Sequence, residues 1–579
     1  MQISETSCEW ESVPYDEGVA SRLASSLDLP AALGKVLAGR GMCSESEARA
    51  FLHPALSQLT DPFLLPGVSR GIQRALGAIE KREKIVIYGD YDCDGVTTTV
   101  LLVEVLRQLG GEVSYFIPKR AEDGFGFTLG ALDKVLAELQ PKLIVTADCG
   151  MRSADAVQRA SSEGVDVIIV DHHRPYGAPV PDAVAVVSSV LDDTPETMVA
   201  LASSGLAFTF CRALRQAAVA AGLAGAEAMD LWQYLDLVTI GTVTDLMPLQ
   251  GDNRILVHFG LAQLNDVSKR RPGVLALIRA AGLRTEIGSY EVGFLVGPRL
   301  SAAGRVGNAD VAVGLLLQSD AMEARRMAGQ LDACYRERRR IEESVMQSAL
   351  TAASASIAQE TGAIIAVGSK WHIGTIGIVA ARICGRYNRP AVVISLDEKG
   401  VCARGSCRSI PGVDLEAVFG QCAEYLVAYG GHGFAAGFSV KTDKVPAFCK
   451  AFEVACREIH IKTDVADGGE VDAWLSFAEV DDQLLDAIKL LQPLGLGNQT
   501  PVWGARNVRV QGPAKIVGGN HLKLTLVSGG GQHDAIGYGL GEKKLPPEPW
   551  DVTFQLQRNH FKGKSMLQLS IKNFRTTMM

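Results

Sequence analysis

The sequence predicts a multidomain α/β protein. Its expected parts are a catalytic unit on a parallel sheet, a second α/β unit joined to it by a long helix, and a small β barrel at the C-terminal end. Three observations carry that expectation. Short apolar runs alternate with helical stretches, which is the rhythm of a parallel sheet covered on both faces. A charge-rich segment with helical spacing separates two such stretches. The end of the chain instead alternates polar and apolar residues, as half-buried strands do. With 579 residues and about 100–200 residues per domain, roughly three to five domains are expected.

Residues 1–80 show no sheet rhythm, and Asp61-Pro62-Phe63-Leu64-Leu65-Pro66-Gly67 is a turn-rich connector. The catalytic unit, expected over 81–318, opens on the apolar run Ile85-Val86-Ile87-Tyr88 and then Gly89-Asp90. A helix over Thr97–Leu109 should follow, stopped by Gly110-Gly111. The same rhythm recurs at Leu143-Ile144-Val145-Thr146 before a helix over Ala154–Ala160, and again at Val165–Val170. From about 197 to 350 the pattern is largely helical. Within it, Ser319–Ser344 holds six arginines and six acids, with Arg338/Glu342 and Arg339/Glu343 one turn apart. Charges that cancel at this spacing predict a solvated connecting helix over 319–358. A second α/β unit, 359–462, begins at Gly362-Ala363-Ile364-Ile365-Ala366-Val367, and Lys462–Gly469 has the composition of a linker. In the last unit, 463–579, Leu522–Leu526 and Met566–Ile571 alternate as strands, with Lys562-Gly563-Lys564 as a hairpin turn.

Composition excludes several classes. At 47% hydrophobic and 21% charged residues the chain is not disordered. Its longest runs without Asp, Glu, Lys or Arg, such as Tyr425–Val440, reach 16 residues, short of the roughly 18 that suggest a membrane span. Glu5, Glu9, Glu11, Asp16 and Glu17 stand where a signal peptide would need basic and then apolar residues. Twelve cysteines form no CxxC pair, so neither a disulfide framework nor a zinc ribbon is indicated. A reduced, cytoplasmic protein without a membrane is the expectation. Net charge is −8, but it is unevenly spread: Pro501–Met579 carries 11 basic and 4 acidic residues, a balance of +7 against −15 elsewhere. An acidic catalytic body with a basic tail that meets a polyanion fits this asymmetry, though a basic surface with no partner would also satisfy it.

The chemistry concentrates at predicted strand ends. Asp90-Tyr91-Asp92-Cys93-Asp94-Gly95 begins like a calcium loop, but the loop's twelfth position is Leu101 rather than Glu, and a strand precedes it where a helix is needed. Three carboxylates after one buried strand repel one another unless a cation intervenes, and α/β proteins place ligands at this edge. Two further strands end at Asp148 and at Asp171-His172-His173, and Asp245 follows in Thr244-Asp245-Leu246. A single acid at such a point is commonly a helix cap; acids at three successive strand ends point to a metal site. Mixed Asp and His ligands suit Mn²⁺ or Mg²⁺. Six carboxylates and two histidines exceed what one ion needs, so two ions and hydrolysis at phosphorus are expected.

The set Asp90/Asp92/Asp94, Asp148, Asp171-His172-His173 and Asp245 resembles the DHH phosphoesterase superfamily. Gly297-Pro298-Arg299-Leu300-Ser301-Ala302-Ala303-Gly304-Arg305, Trp371-His372-Ile373-Gly374, Gly405-Ser406-Cys407-Arg408-Ser409 and Gly430-Gly431-His432 resemble the RecJ branch, with its DHHA1 second domain. Two positions depart from the pattern: Ser301 stands for the usual Asn, and Asn498-Gln499-Thr500-Pro501 for Asn-Pro-x-Pro. The resemblance implies a single-strand-specific 5′→3′ DNA exonuclease releasing mononucleotides in DNA repair and recombination. It implies one ion among Asp90, Asp92 and Asp148, and another among Asp94, Asp148, His172 and Asp245. His173 would face the scissile phosphate, with Asp171 orienting the histidines.

Other residues fit this chemistry on their own. Ser406, Arg408 and Ser409 offer hydroxyls and a guanidinium for a terminal phosphate, which Arg120 could reach from the first domain. Arg299 and Arg305 could neutralise phosphate charge, or form structural ion pairs. Trp371 could stack on a base, although packing is the commoner fate of such a ring; His372 and His432 could donate to a phosphate. In the basic tail Trp503, Tyr538, Trp550, Phe554, Phe561 and Phe574 interleave with the positive charges, as in an OB-fold that tracks single strands; about four of the six are expected in the barrel core. Two other functions remain open: a small-molecule phosphodiesterase, which would need no basic barrel, and a non-catalytic strand-binding scaffold, which would not need intact ligands. Single-stranded DNA is the expected partner, and a monomer the expected state. The resemblance adds a single-stranded-DNA-binding protein and a helicase.

Overall fold

The computed structural model describes residues 10–120, 122–124, 126–175, 178–359, 361–397, 400–432, 434–462, 470–561 and 564–577. The expected linker over 463–469 and the turn at Lys562-Gly563 lie outside the described residues.

The first sheet contains β1 (Lys84–Gly89), β2 (Glu112–Phe116), β3 (Leu143–Ala147), β4 (Asp166–Val170) and β5 (Ala185–Val187) in the order β2-β1-β3-β4-β5. Every pairing is parallel. Ile85, Val86, Ile87 and Tyr88 are all fully buried, because helices cover both faces and leave no solvated side to favour alternation. The chain order reverses between β1 and β3, the crevice where such sheets bind ligands. The helix after β1 runs Cys93–Gln108 and starts four residues earlier than the periodicity predicts. Asp92 sets that start by accepting from the Gly95 amide through its side chain.

The expected connecting helix is a 32-residue helix, Ala321–Ala352, followed by a short helix at Ser354–Ala358. It is less solvated than its charge pattern suggests, since Asp332 and Glu342 are buried. Asp332 pairs with Arg299 and Arg336, while Glu342 pairs with Arg338 and Arg382.

The second sheet comprises β6 (Ile364–Ser369), β7 (Ala391–Leu396), β8 (Cys402–Arg408), β9 (Leu426–His432) and β10 (Ala435–Lys441), ordered β6-β7-β8-β10-β9. Only β6 and β7 pair in parallel.

The C-terminal strands are β11 (Ala473–Trp474), β12 (Trp503–Val510), β13 (Lys515–Val517), β14 (His521–Ser528), β15 (Gly531–Gly537), β16 (Trp550–Phe561) and β17 (Lys564–Thr576). The order β12-β16-β17-β15-β14 returns to β12 through Arg509↔Val527 and Val510↔Leu526, closing five strands into a ring. Trp503, Trp550, Phe554 and Phe574 fill its core, whereas Tyr538 is exposed. The side chain of Phe561 lies outside the described residues.

The N-terminal residues do not form a unit of their own. Helices α1 (Glu17–Ser26), α2 (Ala31–Gly39) and α3 (Glu45–Leu52) contribute Leu23, Leu33, Leu37 and Leu52 to the same core as Leu484, Trp503 and Phe554 of the barrel region. The Val13 amide also donates to Val471 O, the Val471 amide donates to Glu11 O, and Trp474 Nε1 donates to Ser12.

Candidate metal centre

The ends of β1, β3 and β4 bring the predicted acids together. Three ligand groups can be drawn, each with its atoms within 4.8 Å of one another: Asp90/Asp92/Asp148, Asp94/His172/Asp245 and Asp148/His172/His173. Asp148 and His172 each belong to two. Asp148 holds φ at +66°, an uncommon conformation for a residue with a side chain, and its amide donates to Val170 O.

Small residues make the approach possible. A Cβ on Gly95 would lie 2.6 Å from Asp90 O, and one on Gly241 would lie 2.4 Å from Asp94 Oδ1. One on Gly304 would meet Tyr91 O at 2.3 Å, so the Gly297–Val306 helix rests directly on the aspartate loop.

Ser203 and Ser204 were not singled out by the sequence reading. Their amides donate to Asp94 at 2.8 and 3.1 Å, and the Ser203 hydroxyl donates to Asp148 at 2.8 Å. They open the Ser203–Ala220 helix, whose free N–H groups favour anions. The Ser-Ser-Gly run before a long apolar helix was the available signal.

Asp171 accepts from the His173 amide at 3.0 Å and pairs with His173 Nδ1 at 2.7 Å, while its other oxygen accepts from the Met151 amide. Burial raises the Asp171 carboxyl, but the charge and hydrogen bonds of His173 and the charge of His172 together hold the group below the usual range. Burial opposes charge on His173 as well; the Asp171 carboxylate overcomes it and lifts the ring to about 9. His172 Nε2 lies 3.5 Å from Asp148 and 3.3 Å from Asp245.

The other carboxylates are destabilised as anions. Burial, then Asp92, pushes Asp90 up to about 8, and burial pushes Asp94 to about 6. Asp148 and Asp245 are raised well above the ordinary value by burial, then by Asp94 and Asp92. Asp90 Oδ1 is buried and accepts no hydrogen bond among the described residues. Asp245 caps the carboxyl end of the Leu235–Thr244 helix, the end that disfavours an anion. An orphaned carboxylate oxygen, a carboxylate at the wrong helix pole and mutually repelling acids all fit divalent cations held here.

Beside this centre the two α/β units touch. Arg305 donates to Gly374 O at 3.1 Å, and a Cβ on Gly374 would meet Arg305 O at 2.7 Å. Burial, then Arg120, lowers Arg305 to about 10, against the pull of Asp92. The Arg120 guanidinium lies 5.5 Å from the Tyr91 ring centroid. Across the junction, a Cβ on Gly377 would lie 2.9 Å from Ser406 Oγ and 3.3 Å from Arg408 Nη2. Ser406 and Arg408, which hydrogen-bond to each other at 3.2 Å, thus stand over the first turn of the Ile373–Tyr387 helix. His372 caps that helix, its Nδ1 accepting from the Gly374 amide. The Ser409 hydroxyl is used locally, donating to Val413 O.

Two expectations need correction. The Trp371 ring is buried, packs over Gly368 and donates from Nε1 to Ser348; it has no face left for a base. Arg299 is committed to Asp332 at 3.0 Å and to Leu295 O, with its guanidinium over Tyr335, so it is a structural ion pair between two helices. The side chain of His432 lies outside the described residues; its backbone ends β9 and pairs with Ala435.

In the Asn498–Pro501 departure it is Gln499 that replaces the usual proline, while Asn498, which the pattern shares, keeps its partners. It is buried, donates to Leu491 O and Pro493 O, and accepts from Arg40.

Comparison with known proteins follows the same lines. Residues 84–242 match the DHH family N-terminal domain, 360–458 the DHHA1 domain and 471–573 the RecJ OB domain. The single-stranded-DNA-specific exonuclease RecJ of Bacillus subtilis is 32% identical over 570 residues, covering 97% of this chain and 70% of that protein. RecJ of Escherichia coli is 32% identical over 564 residues, covering 94% of this chain and 96% of its own. The crystal structure of Thermus thermophilus RecJ in complex with Mn²⁺ superposes with a TM-score of 0.83 at 28% identity, over 99% of this chain and 80% of that one. A second manganese-bound RecJ structure gives 0.58 at 31% identity, over 71% of this chain and 99% of that one. With its ligand set, domain order and near full-length match, the chain belongs to the family of RecJ single-stranded-DNA-specific exonucleases.

Proposed function

We propose that the chain is a single-strand-specific DNA exonuclease that works 5′→3′ and releases mononucleotides, in repair and recombination. The observation that carries this is the set of overlapping ligand groups at the sheet's carboxyl edge, beside the contact of Arg305 with Gly374 of the second α/β unit. Asp90, Asp92 and Asp148 would hold one divalent ion, Mn²⁺ or Mg²⁺, and Asp94, Asp148, His172 and Asp245 the other. When bound, such a pair supplies charge stabilisation on both the attacking and leaving sides of a phosphoryl transfer.

The protein's own groups do the rest. His173, held by Asp171 through Nδ1, can donate from its other ring nitrogen to a phosphate oxygen as negative charge builds there. Ser203 and Ser204 fix Asp94 and Asp148 in place. Arg120, Arg305, Ser406 and Arg408 would take the terminal phosphate, so that only a strand end reaches the scissile position. This sets the polarity.

The division of labour follows the sequence boundaries: residues 81–318 cut, 359–462 hold the strand end, and 463–579 hold the incoming strand. Among the described residues no helix is long and apolar enough to cross a membrane. A cytoplasmic monomer fed by a helicase and a single-stranded-DNA-binding protein is the setting we propose.

The test is digestion of a long oligonucleotide labelled at either end, with Mn²⁺ and a duplex control. Rapid release of the 5′ label as a mononucleotide, with the duplex untouched, is expected. Survival of the strand alongside hydrolysis of a dinucleotide would make the chain a small-molecule phosphodiesterase instead. Asp92→Ala or Asp148→Ala should lose cleavage and keep strand binding, because the barrel is built from other residues.

A further inference from the structure

Two exposed features flank the metal centre without taking part in it. Tyr290 and Phe294 are 64% and 58% exposed, yet their rings stack at 4.9 Å between centroids and 30° between planes. They occupy one turn of Ser289–Glu291 and the π-helical segment Val292–Val296 that leads into the Gly297–Val306 helix. π-Helical turns are rare and concentrate at functional sites. The segment lies along the last turn of the Leu235–Thr244 helix: a Cβ on Gly293 would lie 3.6 Å from Val243 Cγ1, and one on Gly297 would lie 2.1 Å from Thr244 Oγ1. The next residue is Asp245 of the ligand cluster.

The second feature is Leu246. The Leu246 amide donates to Val243 O and the Met247 amide to Thr242 O, the bonding of a Schellman cap whose left-handed position is usually glycine. Here leucine holds φ at +57° and is 64% exposed. A bulky residue in that conformation is strained, and a side chain that stays mostly exposed gives little burial in return. One step further, Leu249 N donates to Leu496 O at 2.7 Å, and Leu496, at the foot of the barrel, is 52% exposed. From Ile287 to Pro298 the only charge is Glu291, whose carboxylate accepts from the Gly288 amide. Exposed apolar residues thus stand next to Asp245 of the ligand cluster and at the foot of the barrel, and the Ile287–Pro298 segment carries no cation.

We infer that Tyr290, Phe294 and Leu246 form a base-stacking track for the single strand between the metal centre and the barrel. The occupant is the nucleobase face of the strand: apolar and aromatic surface without positive charge suits bases, whichever sequence passes. This inference rests on the nuclease reading above. Its distinctive consequence is that Leu246 holds a strained backbone for the sake of its side chain.

The test uses the full-length chain carrying Asp148→Ala, bound to oligonucleotides with 2-aminopurine at successive positions from the 5′ end. Quenching should peak at one or two adjacent positions. Adding Tyr290→Ala with Phe294→Ala should abolish that peak and weaken binding about tenfold, as one lost stacked base would. Leu246→Gly should weaken binding several-fold while leaving the thermal midpoint unchanged or higher, since glycine relieves the strain. In the otherwise native enzyme, the aromatic double variant should release long strands after fewer nucleotides and cleave a dinucleotide at the normal rate. An unaltered quenching profile with affinity within twofold overturns the track. If the native chain fails to digest single strands at all, the nuclease reading falls; if it digests them and the variants behave identically, only the track does.

Discussion

The acids of the metal centre are held in a fold that opposes their charge, and this gives the protein a definite pH dependence once stripped of metal. Asp90 and Asp94 are lifted to about 8 and about 6, chiefly by burial. The unfolded chain releases such protons near pH 4, while the metal-free fold retains them. Stability without metal must therefore fall as pH rises from about 4 to about 8. His173, raised to about 9, acts in the same direction: its contribution is complete below its unfolded value and is lost as pH climbs through 9. The thermal midpoint of EDTA-treated protein should drop across this window, and the increment from Mn²⁺ should grow over the same interval. A midpoint independent of pH would contradict it. Asp148→Asn should stabilise the stripped protein by roughly 1–3 kcal/mol near pH 8, because it removes one of the repelling buried acids. The same change should erase most of the metal increment. Melting curves with and without Mn²⁺ measure both effects.

At the scale of elements, what could be read from sequence was what lies close together in the chain. The apolar runs of β1, β3 and β4 and the acids at their ends are local patterns, so the sheet and its ligand edge were legible. The partners of Arg299 were not: Asp332 lies 33 residues away on another helix, and nothing local marks it as buried. The same blindness made the Ala321–Ala352 helix look solvated, since charge cancellation along a helix says nothing about its neighbours. Trp371 was ambiguous for a related reason, its ring being claimed by Gly368 and Ser348. Ser203 and Ser204 passed unnoticed because serines opening a helix are ordinary caps, and their contact with Asp94 spans more than a hundred residues. If Arg299 is an interhelical tie, Arg299→Ala should destabilise the fold, though by less than the roughly 3–5 kcal/mol of a wholly unpaired buried charge, because Asp332 keeps Arg336. Arg299→Met combined with Asp332→Leu should recover most of that loss and most of the activity. Chemical denaturation and strand digestion of the two variants separate a tie from a phosphate contact, for which the double variant would stay inactive.

Across the whole molecule the chain closes on itself, since its first helices and its last strands share one core. Arg254 fastens that assembly to the catalytic unit. It sits in the Gly251–Asn265 helix, its guanidinium 3.7 Å from the Phe51 ring centroid, and it donates to the carbonyls of Phe51, Leu490, Leu491, Gln492 and Pro493. Burial, then Arg40, pulls it down to about 9; carbonyl oxygens rather than a carboxylate hold the charge. Removing the barrel from about Asp467 onward is therefore no simple deletion, because Leu23, Leu33, Leu37 and Leu52 lose their covering and Arg254 loses four of its acceptors. A chain ending at 462 with its N-terminal helices intact should aggregate. One that also lacks α1–α3 should stay soluble and still hydrolyse a dinucleotide, because Asp90 to Asp245 lie in a separate core. That shorter chain should bind long strands more weakly and with a flatter salt dependence, since fewer phosphates are neutralised. Sedimentation of the two truncations, with strand affinity measured at several salt concentrations, decides the matter. An affinity and salt slope equal to those of the full chain would remove the barrel from strand binding, whereas equal solubility of both truncations would mean that α1–α3 do not depend on the barrel for their cover.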